Sequence, residues 1–424
     1  MSARRVLITG TGAVCGGGMD PAAIFDGIVA GRSAIAPITQ WDTTGWPCRV
    51  AAEIPDFNPR ALVDDRKLHK LIRRTDLVGL YAAGSALASA GVVAHRDALD
   101  AAAMAVYNDR TGVYVGSGAG NFSNQYDYFP LMTDANGDLQ TFGRELSNTV
   151  NPMWLLRTLS NNVLGHIGIK WTLKGPNACI TNHSVGGILA VIEATEALRT
   201  GEADRAVAVG HDAPIEPQMV IYYHRLGLLA SDALLPFDVR RDGSLFGEGA
   251  GALFLETEES AAGRNAPVLG EILGGGHACE AQGLIAIRDD GDGVVRAVTQ
   301  ALDDAGIAAA DVGMIVTHGN GVWQSDFSEA AAIRTLFGSA SPPVTAFKWA
   351  IGHLIAAAGI VETTVALNAL KQGVVPGIAT LAQPDPNCDG ISVSMTAQEP
   401  RSNVALILCR GFAGTDAALL VRAA

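Results

Sequence analysis

The chain has 424 residues, 48% of them hydrophobic and 6% aromatic, with 49 glycines. That exceeds what one minimal core needs and fits a two-part or large fused α/β protein with many tight turns. The formal charge of −13 argues against a nucleic-acid binder, which needs a basic surface to neutralise phosphates.

In chain order, two arginines precede the apolar run VLITGTGAV at 6–14, which is too short for a signal segment and reads as a first β-strand. No stretch of about 20 apolar residues follows, so a soluble protein is expected, with no membrane partner. GTGAVCGGG at 10–18 has the glycines of a dinucleotide loop but lacks an acidic residue about 20 positions on after a second strand, and reads as a β-to-α turn. An alanine-rich helical run then leads to GVYVGSGAG at 112–120, which is similar to GMIVTHGNG at 313–321, again behind an alanine-rich run. The segment 121–165, with its Tyr-rich NQYDYF, shows little periodicity and has no counterpart; it reads as an insertion at a partner interface or pocket rim. ITNHSVGGILAVIEATEALRTG at 180–201 matches VTAFKWAIGHLIAAAGIVETTVALNALKQG at 344–373: a β-prone lead-in, a Gly-containing turn and an alanine-rich helix closed by Gly. The chain therefore divides into two halves of one strand–helix order, 1–256 and 257–424, joined near ETEESAAGRNA at 256–266. Six cysteines stand apart at 15, 48, 179, 279, 388 and 409 without a CxxC pair. This is neither a disulfide framework nor a zinc site, and points to the cytoplasm. No cluster of His, Cys and carboxylates has metal-ligand spacing, and no cofactor is expected.

Three residues occupy matched places in the repeat. Ser184 sits where a strand runs into a helix, His318 ends a strand in VTHGNG, and His353 opens the helix that corresponds to the one after Ser184. Singly, each is most simply a cap, a turn residue or a packed histidine. Together they suggest chemistry, because a nucleophile at a helix N-terminus gains from the dipole and free N–H groups, and histidines at strand ends can bind or protonate an acyl oxygen. Trp323, Trp349 and Tyr222-Tyr223 read as core or interface more readily than as an acyl tunnel.

These stretches, with AAEIPDFNP at 51–59, PFDVRRDGSLFGEGAGALFLE at 236–256 and GFAGTDAALL at 411–420, make nearly the whole chain resemble the β-ketoacyl-acyl-carrier-protein synthases of the thiolase superfamily. The resemblance implies a duplicated αβαβα fold, a dimer, and work on acyl and malonyl thioesters of an acyl carrier protein in fatty-acid or polyketide biosynthesis. In that family a Cys nucleophile stands where this chain has Ser184. His318 and His353 match the two active-site histidines, Lys348 and Glu362 the pair that supports them, and Asp326 and Glu329 acidic residues after the first histidine. Phe412 matches a gating aromatic whose backbone N–H, with that of the nucleophile, resembles an oxyanion hole. The departures are Asn182-His183-Ser184 for a Thr-Ala-Cys run, His318-Gly-Asn320-Gly-Val322 for HGTxT, and Leu408-Cys409-Arg410 for Asn-Ser-Phe.

A thiol starts from a pKa of about 8.5 and can ionise at a helix N-terminus, whereas the dipole's ~0.3–2 kcal/mol cannot make an alkoxide at pH 7. Ser184 therefore needs a base in contact. His318 or His353 is expected, and His183 is disfavoured because neighbouring side chains tend to diverge. The acylating half of the family reaction should be weakened or lost. The chain is expected to decarboxylate malonyl thioesters, a step that needs only donors for the enolate oxygen, or to transfer acyl groups through a Ser-His-His site, without ordinary elongation. The alternative is a non-catalytic chain-length-factor subunit paired with an active synthase: Arg410-Gly411 and Asn320-Gly-Val322 are similar to such subunits, although these commonly lose the histidines. An engineered Cys-to-Ser trap is disfavoured because residues 182, 183, 185 and 186 also differ, and a coenzyme A thiolase because of the 236–256 signature.

Overall fold

A computed structural model describes residues 4–118, 126 and 128–424. Its centre is an 11-stranded sheet. The strands are β1 (Val6–Cys15), β2 (Thr111–Ser117), β3 (Asn177–Ile180), β4 (Arg205–Asp212), β5 (Gly249–Thr257), β6 (Gly270–Cys279), β7 (Met314–Val316), β8 (Pro343–Thr345), β9 (Ser392–Val393), β10 (Val404–Gly411) and β11 (Thr415–Ala423). Strands β2, β4 and β5 are buried along their whole length. Their near-continuous small and apolar runs suit strands covered on both faces by helices.

One order occurs twice. Outward from β1 run β5, β4, β2 and β3; outward from β6 run β11, β10, β7 and β8, with β9 added at that edge. In each set the first three strands are antiparallel and the next two pairings are parallel. The sets meet where β1 pairs with β6 through Val6–Ile8 and Gly270–Ile272. The mixed α/β architecture built from two similar halves is thus the one expected.

Helices supply the layers. The helix α1 (Arg74–Ser89) packs its apolar face on one side of the first set, around Val14, Val115, Val209 and Phe254. On the second set α3 (Asp292–Ala305) and α4 (Trp323–Phe337) do the same around Ile315, Leu406 and Leu420. Between the sets lie α2 (Gly186–Arg199) and α5 (Ala358–Gln372), whose Ile188, Val191, Ile360 and Val361 share one core. A Cβ on Gly187 would lie 2.3 Å from the carbonyl oxygen of Ala356. Only glycine lets the start of α2 press so closely on the turn before α5.

Of the expected insertion at 121–165, residues 121–125 and 127 lie outside the described residues. The remainder is helical, with short helices at Phe129–Ala135, Leu139–Thr149 and Trp154–Thr158 and another beginning at Asn162. GTGAVCGGG leaves β1 through a Cys15–Gly18 bridge and enters a helix at Pro21–Val29, capped by Asp20. Among the described residues, no helix is long and apolar enough to cross a membrane.

Candidate active site

Ser184 lies in a 3-10 turn, His183–Val185, between the end of β3 and α2, and is buried. His353 occupies the matching place between β8 and α5. Its backbone is fixed by the 236–256 signature: its N–H donates to the Leu245 carbonyl at 2.8 Å and its carbonyl accepts from Gly247 at 3.0 Å. His318 follows the end of β7. The repeat therefore delivers all three residues to one place. His353 Nε2 lies 3.1 Å from Ser184 Oγ, and the His318 and His353 rings stand 5.1 Å apart at 84°.

The groups expected to support the histidines are all buried. Lys348 and Glu362 are fully buried and joined at 2.6 Å. Glu329, on α4, accepts the backbone N–H groups of His318 (2.6 Å) and Gly319 (3.0 Å). Asp326, one turn earlier, accepts those of Phe237 (2.9 Å) and Gly321 (3.3 Å). These carboxylates tie the His318 loop to α4 and to the signature segment. Burial pushes Glu329 up to about 7 and Asp326 up to about 6.

Electrostatics keep both histidines neutral. Burial, then the Lys348 charge, hold His318 and His353 well below 6.5. Nδ1 of His318 accepts the backbone N–H of Arg410 at 3.3 Å, so its hydrogen sits on Nε2, which makes that atom a donor.

One neighbour of Ser184 was not expected. His183 Nδ1 lies 2.8 Å from Ser184 Oγ, closer than His353. The expectation that adjacent side chains diverge fails here because His183 has a left-handed backbone (φ 47°), which breaks the alternation of an extended chain. The second nitrogen of His183 meets the Tyr223 hydroxyl, and its ring stacks on Phe412 at 4.4 Å and 22°. Tyr223 comes from the helix Pro217–Arg225, for which the repeat has no counterpart. Of the other aromatics weighed for a tunnel, Trp349 is core, and Trp323 and Tyr222 are exposed. His183, Ser184, Tyr223, His318, His353 and Phe412 line a cavity of about 60 Å³. Arg410 stands in its wall. Its guanidinium bonds Asp416 (2.8 Å), Glu280 (3.2 Å), Ser328 Oγ (3.1 Å) and the Ser325 carbonyl (3.3 Å).

Comparison with known proteins identifies the family. Residues 3–261 match the family described as "Beta-ketoacyl synthase, N-terminal domain", and residues 269–382 match "Beta-ketoacyl synthase, C-terminal domain". The chain is 29% identical over 433 residues to the 3-oxoacyl-[acyl-carrier-protein] synthase 2 of Coxiella burnetii, covering 99% of each chain. Among solved structures it is similar to the ishigamide ketosynthase/chain length factor, with a TM-score of 0.87, 28% identity and full coverage of both chains. It is also similar to a type II polyketide synthase ketosynthase solved in complex with its acyl-carrier protein, with a TM-score of 0.83, 25% identity and full coverage of both chains.

Proposed function

The chain belongs to the β-ketoacyl synthase family, and from that premise we propose that it acts on thioesters of an acyl carrier protein, decarboxylating malonyl thioesters at His318 and His353 instead of running ordinary elongation. The observation that carries this reading is the pair of buried neutral histidines 5.1 Å apart beside a small cavity, with the hydrogen of His318 placed on Nε2. When the malonyl carboxylate leaves as carbon dioxide, the C–C bonding pair becomes the C=C bond of an enolate and the carbonyl π pair moves onto the thioester oxygen. Two neutral N–H donors stabilise that charge without proton transfer, and water then protonates the carbon to give an acetyl thioester. One such donor is worth roughly 10²–10³ in rate. The backbone N–H groups of Ser184 and Phe412 are assigned to the carbonyl oxygen of an acyl group delivered to Ser184. The carrier-protein partner is supported by the names of the relatives.

The test is incubation of malonyl-carrier protein with wild type, His318→Ala and His353→Ala, following acetyl thioester by mass spectrometry. Each variant should be slower by about 10²-fold. Undiminished product from either would sink the assignment.

Arg410 favours a second reading. It replaces an aromatic of the family with a buried ion-paired side chain in the cavity wall. That suits a chain-length-factor-like subunit, whose role is to shape a partner's site. The oligomeric state separates the two readings, as argued below.

A further inference from the structure

Ser184 has two histidines on one oxygen and a single hydrogen to give. If His353 serves as a donor, as the proposed decarboxylation requires, its Nε2 carries a hydrogen and cannot accept the serine proton. Among the described residues, the hydroxyl hydrogen then has one hydrogen-bond acceptor, His183 Nδ1 at 2.8 Å. With Nδ1 accepting, the His183 hydrogen sits on Nε2 and is donated to the Tyr223 oxygen. Every bond from His353 through Ser184 and His183 to Tyr223 then has one donor and one acceptor.

We propose that His183, oriented by Tyr223 and Phe412, is the general base that activates Ser184 for acylation, leaving His353 free as a hydrogen-bond donor. The inference rests on the reading of this site as one for acyl thioesters. The serine oxygen attacks the thioester carbonyl carbon while its proton moves to His183 Nδ1. The new O–C bond forms, the C–S bond breaks, and the departing sulfur takes the proton from His183 to leave as a thiol. The product is an ester on Ser184. The other hydrogen stays on His183 Nε2, bonded to the Tyr223 oxygen throughout, so no second titratable group has to change its charge. Three features favour the role: the left-handed backbone that turns the ring toward Ser184, the ring-on-ring contact with Phe412, and the hydroxyl on the far nitrogen. A serine at a position where the family has a thiol requires such a base, and a thiol does not.

The experiment follows acetylation of Ser184 by intact-protein mass spectrometry, using the acetyl thioester of N-acetylcysteamine as probe. His183→Phe keeps the stacked ring and removes the base; the acylation rate should fall by about 10²-fold or more. In His183→Phe/Ser184→Cys the thiol needs no base, so acylation should return to within about ten-fold of Ser184→Cys alone. Tyr223→Phe, a milder change at a group that only orients the base, should slow acylation of Ser184 and leave that of Ser184→Cys unaffected. Wild-type rates in His183→Phe would overturn the inference while leaving the site reading intact. A double variant as slow as His183→Phe would also overturn it, marking His183 as packing only. A wild type that decarboxylates malonyl-carrier protein without acquiring an adduct would overturn it and spare the decarboxylation. Loss of both reactions in the wild type would remove the site reading itself.

Discussion

His183 is enclosed by Tyr223, Phe412 and His353, and burial pushes its pKa from 6.5 down to about 4. Between those values the unfolded chain binds a proton that the folded chain refuses. Its contribution to stability is therefore fully present above pH 6.5 and is lost as pH falls toward 4, by about 1.4 kcal/mol per pH unit. His211 is held down to about 4 in the same way, and Asp212 and Glu329 are pushed up to about 7, so the wild-type profile mixes opposing slopes. The difference between wild type and His183→Phe cancels those shared groups. Urea unfolding of both proteins at pH 7.5 and 5.5 should show the wild type losing about 1.4 kcal/mol relative to the variant; equal losses would mean that His183 is not held neutral. At this scale the sequence was only half legible. Ser184, His318 and His353 could be found because the repeat marks their places. His183 was visible as a large polar residue where the family has alanine, yet a rule for extended chains hid its direction. Tyr223 carried no local signal, because it meets His183 only through the packing of an unrepeated helix.

Helix α2 begins immediately after the turn that holds Ser184, and its first turn rests on the one before α5, which follows His353. The spacing of these turns sets the 3.1 Å contact between Ser184 and His353. Gly187→Ala would place a methyl group 2.3 Å from a backbone oxygen that cannot swing aside. Overpacking of this kind costs about 1–3 kcal/mol. The variant should melt at a lower temperature and also decarboxylate more slowly, because relief of the clash separates the two turns. Unchanged melting and rate together would show that the helices adapt freely. The strands and central helices were readable because each recurs with matched glycines. The helices of the 121–165 region were not, since short surface helices with polar faces lack a long apolar stripe.

Among the described residues, one end of the sheet is β3, which is hydrogen-bonded to β2 on one side, and its residues are exposed or half-buried. Ser184 follows only a few residues after that strand. An unpaired edge is a natural place for a second chain to add, so the state of assembly bears directly on the site. We propose 256/257 as the division between halves, and an assembly through the first half would bring two nucleophile positions near one interface. Native mass measurement after co-expression with a neighbouring synthase should give a homodimer that releases acetyl thioester. An inactive protein found only as a heterodimer would favour the chain-length-factor reading.

Phe412 stands between Arg410 and Asp416, which are bonded to each other across the turn that carries it, and its ring lies against His183 and Tyr223. If Phe412 serves as the gate that the family resemblance implies, admitting a long chain would require its ring to leave both the His183 stack and the tilted Tyr223 contact. Selection would then be exercised in time: small groups would react at the pace of the chemistry, and larger ones would wait for the ring to move.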